Sequence, residues 1–135
     1  MPKKGTRGEY DLRDVLEERG FAILRSPASG SIGYRINEDG EKVEREAPDV
    51  LAGDGENVYF FECKWNSEPP IYIEKGEMED LEYVGEKFCV DEVYAAIRYD
   101  REDWYFIKKE DMHETEKSYR AEGFKPKEAL TASEL

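Results

Sequence analysis

The apolar positions of this 135-residue chain fall into short runs whose period changes from one segment to the next. Leu12, Val15 and Leu16 recur at the i, i+3, i+4 spacing of one helical face. A helix opening at Thr6 and stopping at Gly20 contains them: Thr6 with Glu9 three residues on reads as a capping box, and Gly20 as a C-terminal stop. Phe21–Arg25 is a short apolar strand, followed by Ser26–Ser31, a turn of small residues where backbone can approach a phosphate closely. Ser31–Ala47 alternates only in part around Asp39-Gly40, which suggests a β-ribbon, with an unstructured segment as the alternative. Val50–Ala52 and Val58–Trp65 are strands of a hairpin closed by Asp54–Asn57. After the breaker Pro69-Pro70, Ile71–Ile73 is extended, and Glu74–Phe88 reads as a helix with Met78, Leu81 and Phe88 inward, weakened by Gly85. Val93–Tyr99 and Trp104–Ile107 are the last two strands. From Lys108 the chain is charged and aperiodic, and Lys125-Pro126-Lys127 reads as part of a frayed end. The division is a domain over 1–112, with 31–47 as an inserted loop or ribbon, and a charged tail over 113–135.

The hairpin carries the chemistry. Side chains alternate along a strand, so Glu62 and Lys64 share a face and Cys63 points the other way. If Gly53 lies opposite Val58, Asp49 lies opposite Glu62 on that same face; a slip of one residue pairs Asp49 with Phe61 and separates the acids. A partly buried ion pair is the bland account, but such a pair is costly to bury and adds little stability. Two acids and a lysine on one face of an apolar hairpin are hard to justify structurally, and a shared metal site is the functional account.

Composition narrows the setting. A chain this long makes one domain with a modest core. The two cysteines, Cys63 and Cys89, lack metal or redox spacing and read as core thiols in a reducing compartment. There is no apolar run near the ~20 residues of a membrane span and no leader-like N-terminus, so the expectation is cytoplasmic. The net charge of −13 runs against the usual basic patch of a nucleic-acid protein. It fits either a mimic of DNA or adaptation to a salty cytoplasm; the basic residues Lys3, Lys4, Arg7, Arg13, Arg19 and Arg25 gather at the N-terminal end, which favours the second.

Pro48-Asp49 followed by a hydrophobic strand with Glu62-Cys63-Lys64 resembles the PD-(D/E)xK nucleases. With Lys4-Gly5, Glu9, Gly20-Phe21-Ala22, Arg25-Ser26 and Ser29 in order before it, the chain resembles the archaeal Holliday junction resolvases over about residues 3–110. Two positions depart from that pattern: Tyr10 stands where the family usually has arginine, and 31–47 is longer than in compact members. The resemblance implies an α/β, restriction-endonuclease-like core with a central mixed β-sheet flanked by helices. It implies a homodimer acting on branched double-stranded DNA, with the C-terminal aromatic strands contributing to the dimer in the family, although plain core packing accounts for most of those aromatics.

Mg²⁺, replaceable by Mn²⁺, prefers oxygen ligands and needs only one or two carboxylates, so Asp49 and Glu62 are the expected ligands and Glu9 joins them directly or through water. Lys64 stabilises transition-state charge. The resemblance also places Ser29 in the active site, bonded to the phosphate or the attacking water, and Lys3, Lys4, Arg7 and Arg25 on DNA phosphates. Another PD-(D/E)xK repair or restriction-type nuclease, a non-cleaving DNA-binding module on the same fold and an acidic DNA mimic are the competing readings.

Overall fold

Two apolar cores occupy opposite faces of one sheet, and the functional hairpin runs between them. The computed structural model describes residues 4–26 and 31–135, without the side chains of residues 4–6 and 31. In chain order the elements are α1 (Lys4–Glu18), β1 (Ala22–Arg25), β2 (Ser31–Ile36), β3 (Lys42–Glu46), β4 (Val50–Gly53), β5 (Val58–Asn66), β6 (Ile71–Glu74), α2 (Lys75–Lys87), β7 (Glu92–Tyr99), β8 (Tyr105–Ile107), β9 (His113–Glu114) and β10 (Ser118–Ala121). The central sheet has the order β1-β4-β5-β7-β8; β5 and β7 are parallel and the other neighbours antiparallel. A parallel pair needs a crossover, here β6 and α2.

Helix α1 packs Leu12 and Leu16 with Phe21, Val50, Phe61, Ala96 and Phe106 on one face. Helix α2 packs Met78, Leu81 and Val84 with Phe60, Ile71, Ile73 and Ile97 on the other. Covered on both faces, β5 is buried without interruption from Tyr59 to Glu62. The hairpin pairs Gly53 with Val58 and Val50 with Phe61. Continuing that register by one step sets Asp49 across from Glu62, as the four-residue loop requires.

The helix ends explain several positions. The Phe21 N–H bonds the Leu16 carbonyl and the Gly20 N–H that of Glu17, with Gly20 at φ +92°: a Schellman motif closing α1. Helix α1 begins before Thr6, so Thr6 is not its N-cap and Glu9 lies within the helix. Capping therefore does not account for Glu9. Gly85 lets α2 approach β7, since a Cβ there would sit 2.4 Å from Val93 Cγ1.

Other expectations are corrected. Phe88 is 70% exposed because α2 ends there; it is the C-cap, and Val84 takes the inward place. Cys89 is an exposed residue at φ +56° rather than a core thiol. Trp104, Phe106 and Ile107 are buried inside the monomer, in keeping with the core-packing reading. The C-terminal end does not fray: β10 pairs with β6, Leu130 bridges to Phe106, and Ala121 and Ala129 are buried.

Residues 31–47 form the ribbon rather than an unstructured segment. Strands β2 and β3 pair antiparallel, and the Asn37 side chain accepts the Asp39 and Glu41 N–H groups in the turn. The ribbon is fastened to α2: Arg35 Nε donates to Asp80 Oδ1 at 3.0 Å, and the Arg45 guanidinium lies 3.6 Å from the Tyr83 ring centroid. Among the described residues no helix is long and apolar enough to cross a membrane.

Candidate active site

The hairpin, α1 and the start of α2 converge on three carboxylates and a lysine. Asp49 precedes β4, and its Oδ2 accepts the Cys63 N–H at 2.8 Å, a bond that ties it to the facing strand. Its carbonyl accepts the Ser26 N–H at 3.1 Å, which anchors the end of β1 beside it. Glu62 is 8% exposed, and the hairpin register sets it across from Asp49. Burial, then the Asp49 charge, push the Glu62 carboxyl well above the usual carboxylate range, against the opposing effect of Lys64. Glu9 is raised as well, by burial and by Asp49, with Arg25 opposing. Glu9 and Glu62 therefore both feel Asp49, and the fold brings Glu9 to the pair from α1.

Lys64 is on the same face, and its Nζ donates to Glu77 Oε2 at 3.0 Å. Burial works against its charge, but the Glu77 hydrogen bond and the nearby Glu62 and Asp49 charges more than offset this and hold the amine protonated. Cys63, pointing to the α1 side, has its thiol pushed up by burial, which makes it a poor nucleophile.

Around this centre the cations are held by aromatic rings. Arg25 donates to Glu9 Oε1 at 3.1 Å and lies 4.2 Å over Tyr10, on which Arg13 also stacks at 5.0 Å. Arg7 lies 5.2 Å over Trp65, and Arg98 stacks on the same ring at 4.5 Å. Gly8 makes room for that indole, since a Cβ there would be 3.0 Å from Trp65 Cε3. Of the expected DNA contacts, Arg25 thus sits beside Glu9 and Arg7 lies over Trp65. Lys4 opens α1, but its side chain, Lys3 and Ser29 lie outside the described residues.

The oxygen-only donor set suits a hard divalent cation, and the facing Asp49 and Glu62 carboxylates fit the one or two that Mg²⁺ takes. Among the described residues no group of three acidic, histidine or cysteine side chains is arranged to hold a metal ion; Glu9 is engaged by Arg25. The fit is that of a carboxylate pair with Glu9 behind it. The sequence reading missed Glu77, which is one acid in a row of acids; the only signal was its place three residues after Glu74, a capping-box spacing.

A mixed five-stranded sheet with helices on both faces, and an acid–acid–lysine hairpin at its centre, defines the restriction-endonuclease-like fold. The chain matches the family model described as archaeal Holliday junction resolvase (hjc) over residues 1–133, and belongs to that family. It is 32% identical over 120 residues to the Crossover junction endodeoxyribonuclease Hjc of Archaeoglobus fulgidus, covering 89% of this chain and 79% of that one. The protein of the same name from Methanocaldococcus jannaschii is 32% identical over 100 residues, 74% of this chain and 62% of the relative. The solved structure of Archaeoglobus fulgidus Hjc, described as a Holliday junction resolvase, superposes with a TM-score of 0.81 at 28% identity, over 96% of this chain and 98% of that one.

Proposed function

We propose that this chain is a homodimeric, Mg²⁺-dependent endonuclease that resolves four-way DNA junctions by nicking two opposed strands. The observation that carries the reading is the facing of Asp49 and Glu62 across the hairpin with Lys64 on the same side. Asp49 and Glu62 hold the divalent ion, which when bound lowers the pKa of water and offsets phosphate charge. Lys64, kept protonated, faces the charge that grows on the phosphorus oxygens. Glu9 orients Arg25 toward the same edge. Arg7 and Arg25, held on rings, meet the backbone phosphates, contacts that position DNA without reading sequence.

A four-way junction has two-fold symmetry, and a C₂ dimer presents two equivalent sites to it. Support for a dimer surface lies on the α2 face of the sheet. Register places Leu24 beside Leu51 and Leu51 beside Phe60, whose ring lies 5.9 Å from Phe88. Leu24 and Phe88, at 68% and 70% exposed, frame this row, with Val58 exposed on the same face. A chain that leaves Leu24, Val58 and Phe88 exposed around the buried Phe60 has a surface suited to a second copy.

The test sets a four-way junction against a linear duplex of matched sequence, with Mg²⁺, over a KCl series. Paired nicks in opposed strands of the junction, absent with Asp49→Asn, are expected. Equal cutting of both substrates would leave a nuclease without junction selectivity. Binding without cutting at every salt concentration would make the chain a non-cleaving module.

A further inference from the structure

We infer that Glu77 is a positioning residue that draws the Lys64 ammonium away from the Asp49–Glu62 pair and so keeps both carboxylates open to a divalent cation. This rests on the reading of the site given above. A lysine two residues from one buried acid and across a hairpin from another has an obvious alternative, a direct ion pair with either, because buried charges demand partners. Such a pair would place the ammonium where a cation must bind. The observed arrangement differs. Among the described residues the Lys64 ammonium donates to Glu77 at 3.0 Å, and it forms no ion pair with Glu62 or Asp49.

Glu77 is built to hold this position. It is the third residue of α2, and its Oε1 accepts the Glu74 N–H at 3.3 Å in a capping box, which leaves Oε2 for Lys64 at 3.0 Å. The helix N-terminus favours its negative charge. The Glu74 side chain accepts the Glu77 backbone N–H in return, while the Glu77 carboxylate itself is held by the Glu74 backbone N–H and by Lys64. Side-chain exposure is 22% for Glu77 and 29% for Lys64, so the contact is shielded from bulk water. The crossover that follows β5 thus returns a carboxylate to β5's own lysine.

The experiment compares Glu77→Ala, Glu77→Gln and, as a control for the cap alone, Glu74→Ala. Binding of Mn²⁺ alone is followed by calorimetry, junction binding in Ca²⁺, single-turnover cleavage in Mg²⁺, and thermal melting. Glu77→Ala is expected to weaken Mn²⁺ binding and slow cleavage by about 10–100-fold, the usual cost of losing a group that orients a ligand set. Junction affinity stays within about twofold. Glu77→Gln, which keeps an acceptor oxygen without the charge, falls between, and Glu74→Ala melts earlier while binding Mn²⁺ and cutting as wild type. Mn²⁺ affinity and cleavage in Glu77→Ala equal to those of Glu74→Ala would overturn the inference. So would equal losses in both, which would reduce Glu77 to a cap. If the wild-type chain cuts no junction, the proposed function fails, and the Mn²⁺ titrations still decide the placement of Lys64.

Discussion

Arg35 and Asp80 form an ion pair that joins the β2–β3 ribbon to α2: Nε donates to Oδ1 at 3.0 Å, and Asp80 is 3% exposed. The second Asp80 oxygen accepts the Glu46 N–H at 3.3 Å. Gly76 permits the approach, since a Cβ there would stand 2.5 Å from an Arg35 nitrogen. Removing one partner strands the other in a low-dielectric place. Asp80→Ala should therefore cost about 3 kcal/mol of folding stability. Urea unfolding of Asp80→Ala, Arg35→Ala and the double variant measures it. A double variant that loses the sum of the two single losses would mean the pair is not coupled.

The Glu62 carboxyl, raised by burial and by Asp49, sets the pH dependence of the metal-free protein. Its folded pKa lies above the unfolded value, so the folded chain holds a proton that the unfolded chain has released. The stability this contributes is complete below the unfolded value of about 4.3 and is lost as pH rises from there through the folded pKa. The chelated wild type should therefore melt at falling temperature as pH rises above about 5. Glu62→Gln, which cannot ionise, should show a flatter profile and melt higher than wild type at alkaline pH. Mg²⁺ should raise the wild-type melting point most at the alkaline end, where it competes with the fewest protons. Parallel profiles for the two proteins would contradict this.

Cys89 sits at φ +56° just past the Phe88 C-cap, with the Val90 N–H bonded to the Gly85 carbonyl and the Cys89 N–H to that of Glu86. This is a Schellman ending whose left-handed position carries a side chain instead of glycine. The steric cost there is about 1–2 kcal/mol, partly returned by the larger backbone entropy glycine loses on folding. Cys89→Gly should stabilise by roughly 0.5–1 kcal/mol with cleavage unchanged. Thermal melting under reducing conditions checks it; a lower melting temperature would show that the thiol contributes packing.

The hairpin was legible because period-2 alternation and a four-residue loop leave one register that unites Asp49 with Glu62. The α1 face and the Gly20 stop were legible for the same reason, a strong local period with a stop signal. Three features were not. Phe88 fits the helical period, but the helix ends at that residue, and period says nothing about where a core stops. The pairing of residues 118–121 with β6 is long-range, and aperiodic charge gives no warning of it. Glu77 and Asp80 look like two more acids on a solvated face. Their partners, Lys64 and Arg35, lie 13 and 45 residues away in sequence, and only folding brings them together.

The net charge of −13 is a further source of condition dependence. Like charges repel across the surface, and salt shortens that repulsion to about 3 Å at 1 M. We propose adaptation to a salty cytoplasm, so the folded fraction should rise with KCl up to molar concentrations. Circular dichroism during urea titration at several KCl concentrations reads this directly. A midpoint that does not move between low and molar salt would remove salt adaptation as the account of the charge.

Tyr10 takes the place where the resemblance expects arginine, and in the fold it gathers two of them: Arg25 at 4.2 Å and Arg13 at 5.0 Å from the ring. Each exposed cation–ring contact is worth about 0.5–1 kcal/mol. The ring packs both guanidiniums while Arg25 is ion-paired with Glu9 and Arg13 with Asp14. Tyr10→Ala should loosen both side chains and weaken junction binding by about 5–30-fold, as the two energies together imply. If both arginines meet phosphates, the slope of log affinity against log salt should shrink by up to about two. Tyr10→Phe keeps the ring and should bind as wild type. The measurement is junction affinity in an Asp49→Asn background over a KCl series, so that cleavage does not interfere. Unchanged affinity and slope in Tyr10→Ala would remove Arg13 and Arg25 from the DNA surface and leave Arg7, stacked on Trp65, as the remaining described arginine of the expected DNA contacts.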